Sequence, residues 1–118
     1  MTLGSFGETW ALGYLRRAGY RVIDRNVRFR VGELDIVAWD GDTLTFIEVK
    51  TRRSGRYGTP AESITASKYR HLAAAIEQYL QLRHLAAANY RLDLLALLVG
   101  RDGDVVSCEL LRGIEPPE

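Results

Sequence analysis

Cysteine and histidine are nearly absent from this 118-residue chain, which has one Cys, Cys108, and two His, His71 and His84. A single thiol cannot close an internal disulfide, which fits a reducing compartment. The histidines have no spacing partner and neither lies near the cysteine, so there is no zinc pattern. Both read as surface residues. A nucleophile elbow and a phosphate-cradling glycine motif are also missing. The longest apolar run, residues 92–99, is interrupted by Asp93 and is far too short to span a bilayer. The N-terminus lacks the basic start and apolar core of a signal peptide. The expectation is a cytoplasmic protein with no membrane partner. No internal repeat and no low-complexity segment is visible.

What is present suits one globular domain with a proper core, at 47% hydrophobic and 26% charged residues. Net charge is only +1, but its distribution is uneven. Residues 16–30 hold six arginines against Asp24 alone. Residues 50–70 hold six lysines and arginines against Glu62 alone. From Arg101 onward two arginines face five acids. Two basic segments and an acidic tail suit a positive side facing a polyanion. The alternative is that these arginines are simply solvated.

Residues 4–18 read as an amphipathic helix, with Trp10, Ala11, Tyr14, Leu15 and Ala18 at helical spacing and Gly19 as its stop. Residues 21–31 read as a strand in which Val27, Phe29 and Val31 alternate with arginines. Residues 52–59 form a loop rich in Gly and Arg, and Pro60 starts a helical turn. Thr65 or Ser67 caps a longer helix with Leu72, Ala73, Ile76, Tyr79 and Leu80 as its buried stripe. Residues 84–89 are a connection. Residues 91–99 are too continuously apolar for an exposed strand and suggest a buried, parallel one. A last strand spans 105–111, and 113–118 is a tail. The order α-β-β-β-α-β-β predicts an α/β fold, with a mixed sheet and helices packed on it, over residues 1–112.

The most informative segment lies between these elements. Two apolar runs, 34–39 and 44–49, flank Asp40-Gly41-Asp42, a strong hairpin signal. With Gly41-Asp42 as a two-residue loop, Asp40 faces Thr43, Asp35 lands opposite Glu48, and Glu33 lands opposite Lys50. Strand alternation puts these four groups on one face. A three-residue loop would instead send Asp35 and Glu48 to opposite faces. Opposed residues have Cβ atoms about 4.5–5.5 Å apart, so two carboxylates there repel unless a cation lies between them.

Hard divalent cations take one or two carboxylates plus water and substrate phosphate. Such an ion lowers the pKa of water and makes a nucleophile near neutral pH. Lys50, one pleat beyond Glu48, could hold that water or offset charge on a phosphorane. The competing reading is a solvated polar face with weak pairs. Glu8 projects inside the apolar stripe of the first helix, among Gly4, Ala11 and Leu15. A buried lone carboxylate needs a partner, either the same metal or an arginine. Glu33 is a ligand or the cross-hairpin partner of Lys50. Arg52, Arg53, Arg56 and Tyr57 lie in a glycine-rich loop that could grip and stack on nucleic acid. Lys68 reaches the site or snorkels to water. Arg91 and Asp93 read as a structural ion pair.

Asp35 with Glu48-Val49-Lys50 resembles the Asp…Glu-x-Lys signature of the restriction-endonuclease-like (PD-(D/E)xK) nucleases. A longer set of stretches resembles the YraN-like family of predicted endonucleases. The set comprises Gly7-Glu8, Gly19-Tyr20, Asn26, Gly32-Glu33-Leu34-Asp35, Phe46-Ile47-Glu48-Val49-Lys50-Thr51-Arg52, Tyr57-Gly58, Lys68 and Arg91-Leu92-Asp93. The resemblance implies the single-domain α/β/α sandwich shared by archaeal Holliday-junction resolvases. It implies that Asp35 and Glu48 bind magnesium (Mg2+) or manganese (Mn2+) with help from the Val49 carbonyl, that Lys50 assists the water, and that Glu8 supports the metal. The resulting expectation is a metal-dependent nuclease acting on structured or branched DNA, with Arg52, Arg53, Arg56, Tyr57 and Lys68 on the nucleic acid. A homodimer would serve paired cuts. The rival expectations are a nucleic-acid-binding module without turnover and an assembly factor that binds a protein.

Overall fold

Thr2 accepts a hydrogen bond from the Ser5 N–H at 3.0 Å and so caps the first helix, α1, Leu3–Arg17. Gly7, Ala11 and Leu15, four residues apart, put one buried stripe on α1, joined by Leu12. Gly19 then turns the chain at φ +93°, a conformation glycine reaches without strain. The computed structural model describes residues 2–53 and 60–117. The remaining elements are β1 (Arg21–Phe29), β2 (Gly32–Asp40), β3 (Thr43–Arg53), a 3-10 turn (Pro60–Ser63), α2 (Ala66–Leu82), β4 (Tyr90–Val99) and β5 (Val105–Leu111). The element order is the expected one.

The five strands form one mixed sheet in the order β1-β2-β3-β4-β5. Only β3 and β4 run parallel, and α2 supplies the crossover that parallel neighbours need. The helices cover opposite faces. Ala11, Leu12 and Leu15 of α1 pack with Ile36, Ala38, Ile47, Leu95 and Leu97. Leu72, Ala75, Ile76, Tyr79 and Leu80 of α2 pack with Val37, Leu44, Phe46, Leu92 and Leu94. β4 therefore feeds both cores, which is why its sequence is nearly unbroken apolar.

Three local expectations need correction. β3 does not stop before residue 52, because parallel pairing with β4 continues through Arg52–Leu98 and Arg53–Val99. β1 ends at Phe29, and the exposed Val31 lies in the turn to β2. Ala73 is exposed and Ala75 takes its place in the buried stripe of α2, a small rotation of the helix about its axis. Thr65, of the two candidates, is the α2 cap. The expected tail is partly pinned: the Ile114 N–H donates to Leu92 O at 2.7 Å.

A polar network secures the sheet end where the hairpin turns. Asp93 is fully buried, accepts from Arg91 Nε at 2.9 Å, and accepts from the Gly113 N–H at 3.0 Å. Arg91 also donates to Asp40 at 2.6 Å and to the Tyr20 hydroxyl at 3.1 Å. Burial opposes the Arg91 charge, but these acceptors more than offset it and hold its pKa above the usual value. The expected ion pair is thus present as the hub of a network joining β4, the hairpin end, the α1–β1 junction and the C-terminal segment.

Candidate functional site

The hairpin turn has the two-residue loop, with Gly41 at φ +60°. Asp40 pairs with Thr43, and the ladder runs to Ile36–Ile47. The ladder ends there, and just beyond it Asp35 and Glu48 are close enough for Asp35 to raise the Glu48 pKa. The sequence-based grouping of these carboxylates holds, but the simple alternation behind it does not. Leu34 belongs to the α2-side core, while Ile36, two residues on, belongs to the α1-side core. Period-2 alternation therefore breaks across Asp35.

The neighbouring strand is distorted at the same level. Val27 pairs with Leu34 and Arg25 with Ile36, and between them Asn26 takes φ +52°. Asparagine tolerates this left-handed region better than most residues. A strand donor that a continuing ladder would send to the facing backbone goes instead to a side chain: the Val49 N–H donates to Asp35 Oδ2 at 2.8 Å. The break thus holds the Asp35 carboxylate beside the sheet, where groups from both faces converge on it.

From the α2 side comes Lys68, in the first turn of the helix. Its Nζ lies 3.0 Å from Glu48 Oε2. The approach of α2 depends on Gly32, where an added Cβ would lie 2.5 Å from the His71 carbonyl oxygen. From the α1 side comes Glu8, which lines an open groove of about 560 Å³ with Thr2, Ser5, Arg25, Asn26 and Arg28. α1 lies close on β3 because Gly7 has no side chain; a Cβ there would collide with the Thr51 hydroxyl. That hydroxyl is buried without a hydrogen-bond partner, a sign of how tightly the helix seals the strand.

The electrostatics record the crowding. The Glu48 carboxyl is pushed up to about 7, first by burial and then by the Asp35 charge and hydrogen bond, with Lys68 pulling the other way. Glu8 is also raised, first by burial and then by Asp35, while Arg25 and Arg28 oppose the shift. Lys68 is raised: burial works against its charge, but Glu48, Asp35 and Glu33 outweigh it. Glu48 and Glu8 are thus both pushed toward neutrality, an arrangement that favours an added cation.

The other expected residues are placed as follows. Lys50 is exposed on β3, two residues past Glu48. Glu33 is exposed and pairs with Arg28 at 3.9 Å rather than with Lys50. Arg52 is half-buried and Arg53 exposed, both still in β3. Arg56 and Tyr57 lie outside the described residues. Among the described residues, no group of three or more His, Cys, Asp or Glu side chains closes into a ready metal cage. A two-carboxylate donor set fits a hard ion such as magnesium or manganese, which completes its shell with water and phosphate. Sequence reasoning missed Arg25 and Arg28 as the cations flanking Glu8. The run of arginines at 16–30 was the signal for them.

Residues 7–97 match the family described as "Uncharacterised protein family UPF0102". A UPF0102 protein of Symbiobacterium thermophilum is 46% identical over 110 residues, covering 93% of this chain and 92% of that one. Another, of Syntrophotalea carbinolica, is 45% identical over 113 residues, covering 96% and 90%. One of Clostridium kluyveri is 39% identical over 110 residues, covering 93% and 90%. On this likeness, spread over nearly the whole length, the chain belongs to the UPF0102 family.

Proposed function

We propose that this protein is a magnesium- or manganese-dependent nuclease of the restriction-endonuclease-like superfamily, hydrolysing phosphodiester bonds in structured or branched DNA. The observation that carries the reading is the meeting of Asp35 and Glu48 across a hairpin whose ladder is broken to let them meet. Two acids held in mutual repulsion, at a cost to the fold, make physical sense as the seat of a cation.

Asp35 and Glu48 would hold the ion, with the Val49 carbonyl as a third donor. The bound ion would supply a Lewis acid and a nucleophilic water near neutral pH. Each protein group then has a defined task. The Val49 N–H fixes the Asp35 carboxylate in one orientation. Glu8 adds negative charge on the α1 side and would accept a proton from water. Lys50, exposed on the strand that carries Glu48, can turn its ammonium to the phosphate and stabilise charge growing there. Arg25 and Arg28, together with Arg52, Arg53 and Arg56 of the next basic segment, would bind flanking phosphates. The substrate in this reading is recognised by shape rather than by base sequence. Two copies would serve paired cuts. No helix among the described residues is long and apolar enough to cross a membrane. The cytoplasm is the proposed compartment.

The test is incubation with branched and linear DNA, with and without manganese. Cleavage should require the ion and vanish in Glu48→Ala and Lys50→Ala, with the fold unchanged by circular dichroism. Undiminished cleavage in either variant refutes the assignment of that residue. A non-catalytic nucleic-acid-binding module is the second reading, favoured by the Lys68–Glu48 ion pair that already neutralises one acid. It predicts salt-sensitive DNA binding and no product with any metal.

A further inference from the structure

Lys68 and Glu48 meet by deliberate geometry. The lysine is in the first turn of α2, behind the Thr65 cap, which accepts from its own backbone N–H at 3.1 Å. Gly32 lets that turn approach β2. The result is a 3.0 Å contact with Glu48, whose side chain is 11% exposed, while the lysine side chain is 46% exposed. One end of the pair is anchored in the sheet. The other is a flexible chain with a way out to solvent, over a groove lined by Gly32, Glu33, His71 and Leu72.

We propose that the Lys68 ammonium is a built-in place-holder for the divalent cation, displaced when the ion enters and handed on to a phosphate oxygen of the nucleic acid. The proposal rests on the metal-dependent reading above. An ammonium and a divalent ion cannot share the same carboxylate closely, because their like charges repel at that distance. Lysine suits the exchange better than arginine, since it is a compact point charge on four rotatable bonds. Its stem is long enough to leave Glu48 without moving the helix. Its half-exposed position means that departure exposes little new surface. The released ammonium would lie at the lip of the site, where a phosphate held by the ion presents its non-bridging oxygens. The lysine would thereby serve two states of the site: compensating the acids while no ion is bound, and contacting substrate afterwards.

The place-holder role separates cleanly from a structural one. Manganese binding is followed by electron paramagnetic resonance at pH 8.5, where proton competition is weak, in the wild-type protein, Lys68→Met and Lys68→Arg. Lys68→Met keeps the stem and removes the competing charge, so manganese should bind about fivefold more tightly, or about 1 kcal/mol. DNA cleavage by the same variant should fall, because the phosphate loses its contact. Lys68→Arg should return the manganese affinity toward wild type. Unchanged or weaker manganese binding in Lys68→Met, with the wild type still binding, overturns the place-holder and leaves the metal site standing. No manganese binding by any of the three proteins overturns the metal site itself, and the place-holder with it.

Discussion

Glu48→Gln should stabilise the protein in the absence of metal, and should do so only at pH values where Glu48 is charged. The folded-state pKa of Glu48 is raised from 4.5 to about 7, chiefly by burial and by Asp35. A carboxyl raised in this way binds its proton more tightly folded than unfolded. Stability is therefore fully retained below about 4.5 and is lost as pH rises through about 7. At about 1.4 kcal/mol per pKa unit the loss is at most about 3 kcal/mol. The pull of Lys68 is already contained in that shift, and discounting the remainder for the part of the site open to solvent leaves about 2 kcal/mol. For a domain of this size that is roughly 8 °C in Tm at about 4 °C per kcal/mol. Differential scanning calorimetry with chelator present should show this gain at pH 8 and almost none at pH 4.5. The same variant should lose manganese binding. A gain of equal size at both pH values, or a less stable variant at pH 8, would refute the claim that like-charge crowding strains the site.

Two further outcomes test the scaffold. Gly7→Ala places a methyl group against the Thr51 hydroxyl and should cost about 1–3 kcal/mol by overpacking, read as a lower urea midpoint with an unchanged slope. Asp93→Asn removes the buried charge that Arg91 and the Gly113 N–H address, and should cost about 3 kcal/mol or more in urea unfolding. If Asp93→Asn is neutral, the network at the hairpin end is decoration and Arg91 is satisfied by Asp40 alone.

The site combines two demands that pull apart. Folding prefers the acids separated, while a cation-binding site needs them together. The chain resolves this by interrupting a hairpin ladder next to Asn26, whose left-handed backbone marks the level of the break. The Val49 N–H then finds its acceptor in a carboxylate instead of the facing strand, so that donor stays paired.

Local signals carried much of this. The hairpin loop follows from Gly41 beside Asp42, and its register follows from the loop, because each step outward adds one residue on either side. Ala11 and Leu15 of the α1 stripe follow from spacing, although the expected Ala18 lies exposed past the helix end, and the parallel, doubly buried β4 follows from a nearly unbroken apolar run. Even the pairing of Arg91 with Asp93 was readable, since residues two apart on a strand share a face. Three features were not. The break in alternation at Asp35 depends on how β1 and β2 distort together. The identity of the Glu33 partner depends on β1 coming alongside β2, which brings Arg28 near. The reach of Lys68 to Glu48 depends on where α2 lands after its crossover.

The amino-acid order alone thus determined the elements and the hairpin register as far as Ile36–Ile47, and pointed to the two acids just beyond it, because those depend on neighbours a few residues away. Only the folded chain decided which cations attend those acids. Lys68 is twenty residues from Glu48 in sequence, and what brings it to 3.0 Å is the missing side chain of Gly32, which sets how closely a helix can lie on a sheet. A contact made through the packing distance of two elements has no periodic trace in the sequence of either one.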